Sequence, residues 1–115
     1  MQDALEPATL AGVMDEVNGR GYTEHFMPDH GALRAVGSGT RFVASEVTIS
    51  EYHRFEGVSD PDDMSILYAI ETRSGVRGTL VDAFGFYSDP LVGEFMDEVL
   101  ARRPCPVVTY RPLRP

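Results

Sequence analysis

The stretch Glu51–Asp63, EYHRFEGVSDPDD, gathers carboxylates, a histidine, an arginine and two aromatics in one run of chain. Read as a strand, its side chains alternate, so Tyr52, Arg54 and Glu56 share one side while Glu51, His53 and Phe55 share the other. Arg54 can grip a carboxylate or phosphate through its planar fork, Glu56 can accept a hydrogen bond or a proton, and Tyr52 can stack or donate. Asp82, within LVDAFG on a later strand, adds a second carboxylate. These four, Tyr52, Arg54, Glu56 and Asp82, are the candidate ligand- or partner-binding residues. In an enzyme, Arg54 would anchor an anion and Glu56 or Asp82 would act as general base. In a purely structural role, Arg54 would instead pair with Glu56 or Asp82 across the sheet.

Positioning them requires a sheet. Thr9 to Arg20 carries Leu10, Val13, Met14 and Val17 at helical spacing, with Thr9 as cap and glycines at the end, which predicts a first helix. Tyr22–Met27 and Ala32–Val36 flank Pro28-Asp29-His30-Gly31, a hairpin pattern. Ala44-Ser45-Glu46 reads as a single helical turn before a long strand from Val47 to Glu56. Gly57–Asp63 is a turn, Ser65–Glu71 a strand, Arg73-Ser74-Gly75 a reversal and Gly78–Phe84 another strand. Asp89-Pro90 opens a second helix, with Leu91, Val92, Phe95, Met96, Val99 and Leu100 in period to about Arg102. The expected fold class is α+β: a single two-layer domain over residues 1–101, a mainly antiparallel five-stranded sheet packed by an N-terminal and a C-terminal helix.

Symmetric closure over Gly57–Asp63 sets Phe55 opposite Ile66, Arg54 opposite Leu67 and His53 opposite Tyr68. A two-residue turn at Ser74-Gly75 sets Leu67 opposite Asp82. A slip of one residue would invert every face. On this register Val47, Ile49, Phe55, Ile66, Tyr68, Ile70 and Val81 lie under both helices, with Glu51 and His53 at the rim. Tyr52, Arg54, Glu56, Leu67, Ala69, Leu80, Asp82 and Phe84 form the opposite, uncovered face.

Several chemistries find no support. His25, His30 and His53 lack the spacing that places two imidazoles on one helix face, so no metal site is expected. Asp60, Asp62 and Glu71 match positions of a calcium loop, but Met64 and Ser65 stand where a ligand and a glycine are needed. Cys105 lies between prolines, and no serine sits in a nucleophile elbow. All ten cations are arginine, which removes lysine-dependent phosphate binding and Schiff-base chemistry. No cofactor is expected.

The net charge of −8 disfavours nucleic acid or an anionic membrane as partner. The segment 102–115, RRPCPVVTYRPLRP, runs against that balance, holding four arginines, four prolines and no acid. It reads as a basic tail lying on the acidic body, with Val107–Tyr110 available as an edge strand, or as an arm for a partner. One cysteine and an N-terminus without a basic or long apolar run set a cytoplasmic expectation.

The segments EYHRFEG, SDPDD, ILYAIE and GVRGTLVDAFGFYSD are similar, in this order, to a family of short bacterial proteins often labelled phosphoribosylpyrophosphate synthetase. The likeness covers about Gly21 to Asp89. That label implies a nucleotide substrate, two α/β domains and a ribose-phosphate loop of paired acids before a Thr-Gly turn. Leu80-Val81-Asp82-Ala83-Phe84-Gly85 offers one acid and no such threonine, so synthetase activity is not expected. The reading that results is a binding or protein-interaction module meeting an unidentified protein or a second copy of itself. The homodimer would form through a sheet edge or through the face bearing Leu67, Leu80 and Phe84.

Overall fold

Thr9 starts the first helix by accepting, through its hydroxyl, the Gly12 N–H at 3.0 Å. In the computed structural model, which describes residues 9–56, 65–83 and 90–110, this helix is α1, Leu10–Gly19. Gly21, with φ of 105°, carries the chain away from its end. Strands β1 (Glu24–Asp29) and β2 (Ala32–Ala35) then pair antiparallel, Asp29 opposite Ala32. The two turn residues, His30 and Gly31, both have positive φ, 47° and 80°, as a tight turn matching the strand twist requires. Asparagine tolerates this backbone better than histidine, so His30→Asn is expected to stabilise by about 0.5 kcal/mol. Calorimetry should show a melting temperature about 2–3 °C higher, and a lower one would contradict the turn assignment.

β3 (Arg41–Phe42) and a 3-10 turn (Ala44–Glu46) lead into β4 (Val47–Phe55), β5 (Ser65–Thr72) and β6 (Arg77–Ala83). Helix α2 (Pro90–Arg102) and strand β7 (Val107–Tyr110) follow. The seven strands form one mixed sheet in the order β3-β2-β1-β6-β5-β4-β7, with β1–β6 and β4–β7 parallel. The α+β class thus stands, while the five-stranded, mainly antiparallel sheet is corrected to seven strands. β3 and β7 are the additions. The segment set apart as a tail is divided: Arg102 ends α2, Val107–Tyr110 joins the sheet, and 111–115 lies outside the described residues. So do the Gly57–Asp63 turn, Phe84 and the Asp89 cap.

The two-layer expectation also fails. On α1, Val13 and Val17 pack with Tyr22, Phe55, Leu67 and Ala69. On α2, Val92, Phe95, Met96 and Val99 pack with Ile49, Tyr68, Ile70 and Leu80, where Phe26, Leu33 and Phe42 also join. Leu67 and Tyr68 are neighbours on one strand and point to opposite faces, so the helices cover opposite faces of the sheet. The sheet is the middle of three layers. Leu67 and Leu80, at 0% and 3% exposure, are interior residues, which removes the face expected to serve as a dimer surface.

The register differs by one residue in both hairpins. Phe55 pairs with Ser65, Arg54 with Ile66, His53 with Leu67 and Tyr52 with Tyr68, and Leu67 pairs with Val81. In β4–β5 the difference is present from Phe55 onward, at the end nearest a turn that lies outside the described residues, and an irregularity between Ile49 and Glu51 shifts the pairing by one more beyond it. The β5–β6 reversal is a three-residue loop in which the Thr72 N–H donates to the Val76 carbonyl. Gly75, at φ of 92°, closes that loop.

The β1–β6 junction is narrow. Only Glu24 with Gly78 and His25 with Thr79 are paired along it, and a Cβ on Gly78 would collide with the Glu24 backbone carbonyl. Glycine is therefore required for the strands to approach.

Candidate functional site

The structure keeps Tyr52, Arg54 and Asp82 on one face, but that is the face α2 packs against. Tyr52 stacks on Tyr68 with centroids 5.5 Å apart and planes 18° from parallel. Burial, with Asp82, Tyr52 and Asp97 nearby, pushes the Tyr68 hydroxyl up to about 12. It is a neutral core phenol at any ordinary pH. Arg54 and Asp82 are separated by Ile66, which pairs with both across the strands. Glu56 lies with Arg54, its Oε2 3.2 Å from Nε, and the Glu56 N–H donates to the Tyr110 carbonyl at 2.9 Å. The guanidinium fork is thus turned toward the carboxylate two residues on, just past the end of β4.

The other face of β4 carries a polar chain that sequence reasoning did not assemble. The C-cap residue of α1, Arg20, donates to both oxygens of Glu51, at 2.7 and 2.9 Å. Glu51 Oε1 lies 2.6 Å from His53 Nε2, and His53 Nδ1 lies 3.0 Å from the Tyr110 hydroxyl. The Tyr110 ring stacks on both His53 and Phe55. The spacing Glu-x-His on a strand signals that Glu51 and His53 share a face. Nothing in the sequence places Arg20 and Tyr110 beside them, because they come from α1 and β7.

This chain of contacts resembles a catalytic relay in its residue types but not in its availability. Hydrogen bonding from Arg20 outweighs desolvation and, with help from His53, holds the Glu51 carboxyl down at about 2. It remains an acceptor and is no proton donor. Both nitrogens of His53 are engaged and the residue is 5% exposed, so no lone pair is open to a substrate. Burial raises the Tyr110 pKa, with Glu16 and Glu51 adding to it, which keeps the hydroxyl protonated. The network ties three elements together: α1, β4 and β7.

Two open clefts lie elsewhere, between the β1–β2 turn and α2. One, about 300 Å³, is lined by Leu33, Leu91, Val92 and Phe95 with Asp29 and His30 among its other walls. The second, about 250 Å³, shares Gly31, Leu91 and Phe95 with it and adds Val43, Glu94 and Glu98. Neither is lined by Tyr52, Arg54, Glu56 or Asp82. Among the described residues, no group of three or more histidine, cysteine, aspartate or glutamate side chains is placed to hold a metal ion. Nor is any helix among them long and apolar enough to cross a membrane.

The remaining feature is an edge. β7 pairs with β4 on one side, Tyr52 opposite Val107 through Phe55 opposite Tyr110, and among the described residues it ends the sheet on the other. Val107 and Val108 are 41% and 45% exposed. Comparison with models of protein families, with curated proteins and with solved structures finds no match for this chain.

Proposed function

We propose that the chain is a non-catalytic protein-interaction module whose partner adds a strand to the outer edge of β7. The observation that carries this reading is the edge itself, a strand at the sheet border with two half-exposed valines. The Tyr110 carbonyl accepts from Glu56 N–H, so the Tyr110 backbone points toward β4. Alternation then turns the N–H and C=O groups of Val107 and Thr109 outward. Such a row of backbone groups is a template for another strand. Pro104 and Pro106 before it, and Pro112 after it in sequence, confine the template to a few residues and guard against open-ended pairing. The ion pair of Arg54 with Glu56, and the engagement of both His53 nitrogens, support binding over catalysis.

The test is selection of short extended peptides from a displayed random library, followed by measurement on Thr109→Pro. Proline removes an outward N–H without removing a hydrogen bond to β4, so the fold is expected to persist while binding falls at least about tenfold. Selected peptides that bind Thr109→Pro as well as the original chain would put the interaction elsewhere and sink the proposal.

A further inference from the structure

We propose that the adjoining clefts between the β1–β2 turn and α2 form a second docking surface, which takes a segment of another protein carrying an apolar side chain close to a lysine or arginine. This surface is separate from the β7 edge and does not depend on it. Leu91, Glu94, Phe95 and Glu98 recur along α2 at helical spacing, so one stripe of the helix walls the second cleft and, through Leu91 and Phe95, the first. Gly31 lines both, with open space where a side chain on it would stand, so the two clefts run together across the turn. Leu91 and Val43, 58% and 53% exposed, are the most exposed large apolar side chains among the described residues, and both line the second cleft. Apolar surface grouped in this way marks a contact site. Both clefts are open, whereas a small-molecule pocket buries about 70–90% of its ligand. Volumes of about 300 and 250 Å³ instead suit side chains of a segment passing over them.

The charges around the two clefts differ. In the first, Asp29 is balanced by Arg34 and Arg41, whose Nε atoms lie 3.6 and 3.2 Å from its Oδ2, and Leu33, Val92 and Phe95 supply an apolar wall. A neutral, apolar side chain fits there. The second cleft has Glu94 and Glu98 as its charged lining residues. Glu98 lies 3.4 Å from Arg102, an exposed pair one helical turn apart that offsets its charge weakly. The Glu46 carboxylate, accepting the Val43 N–H at 2.9 Å, adds an acid beside the Val43 wall. Neither Glu46 nor Glu94 makes an ion pair among the described residues, so this cleft stays negative despite Arg102. A cationic side chain complements it. A second copy of the chain does not: two copies meeting about a two-fold axis through this surface would set Glu94 and Glu98 against their own kind.

The experiment titrates the isotope-labelled full chain, observed by NMR, with two pools of short capped glycine–serine peptides. Each peptide bears a leucine and, at varied separation, an arginine in the first pool or a glutamate in the second. The arginine pool is expected to shift the amide signals of Gly31, Val43, Glu94 and Phe95. It should bind at least about tenfold tighter than the glutamate pool at low salt, the gap closing as salt rises. Leu91→Ser, and Glu94→Gln combined with Glu98→Gln, should each weaken binding of the arginine pool severalfold. All three side chains are exposed, so the fold should persist, which circular dichroism checks. Thr109→Pro should leave this binding unchanged, which separates the surface from the β7 edge. Equal binding of the two pools, both lost in Leu91→Ser, would overturn the basic partner. Shifts confined to β7, or none from either pool, would overturn the surface itself. So would shifts of the same amides with chain concentration alone, since the occupant would then be a second copy.

Discussion

Gly78→Ala is expected to destabilise the fold by about 3 kcal/mol, the upper range for forcing an extra methyl into a packed site. The added Cβ would meet the Glu24 backbone, which cannot swing aside as a flexible side chain could. Because β1 and β6 are joined at only Glu24–Gly78 and His25–Thr79, separating them detaches the ribbon of β1, β2 and β3 from the rest of the sheet. Hydrogen exchange should therefore quicken most in Phe26, Leu33 and Ala35 and least in β4 and β5. Gly93→Ala is the control. It sits within α2 with open space where the added methyl would stand, and helix propensity favours alanine by about 1 kcal/mol. Equal melting temperatures for the two variants, or a uniform rise in exchange, would refute the seam as the weak junction.

The second large effect concerns Glu51. Its folded pKa of about 2 lies below the ordinary 4.5, so the carboxylate contributes stability that is fully present above 4.5. That contribution is lost as pH falls from about 4.5 to about 2. The shift alone corresponds to about 3 kcal/mol, and discounting for the half-exposed Arg20 leaves about 2 kcal/mol. Glu51→Gln keeps the shape and removes the charge, so at pH 7 it should cost about 2 kcal/mol in urea unfolding. As pH falls to about 2 the variant and the original chain should converge. A difference that stays constant from pH 7 to pH 3 would show that the Arg20–Glu51–His53 contacts do not hold the carboxylate ionised.

Much of the chain's local organisation was legible in its sequence. Thr9 capped α1 as its position suggested, the Asp29-His30-Gly31 turn closed the first hairpin, and the β4, β5 and β6 strands formed an antiparallel meander. What failed was counting by one. Phe55 met Ser65 rather than Ile66, a third residue in the Arg73–Gly75 loop moved the β5–β6 register, and strand periodicity turns a unit slip into an exchange of faces. The placement of the helices was written in SILYAIE. A strand bound by a helix on one face alone would alternate, whereas Leu67, Tyr68, Ala69 and Ile70 are apolar in succession because both faces are covered.

The candidate site was legible only in part. Tyr52, Arg54 and Asp82 do share a face, and Arg54 does pair with Glu56, as the structural role foresaw. Glu51 and His53 were assigned to a rim; Glu51 is indeed partly exposed, but His53 is buried and the two form the centre of a part-buried polar chain. Its other members, Arg20 and Tyr110, arrive from segments far apart in sequence, and only the tertiary fold brings them together. The edge of β7 was visible as a short β-branched run, but its exposure follows from β7 being the last strand of the sheet.

The two parallel pairings set the order in which the molecule assembles. Glu24 meets Gly78, and Tyr52 meets Val107, across more than fifty residues of intervening chain, while the strands of the β4–β5–β6 meander follow one another closely in sequence. Closing long loops costs entropy before any contact repays it, so the meander is the natural nucleus and both parallel seams close after it. Substitutions at those seams, Gly78→Ala among them, then belong to the unfolding limb of a chevron rather than the folding limb. Until β7 docks, the outer edge of β4 stays open, and in that interval the chain is most exposed to pairing with the wrong strand.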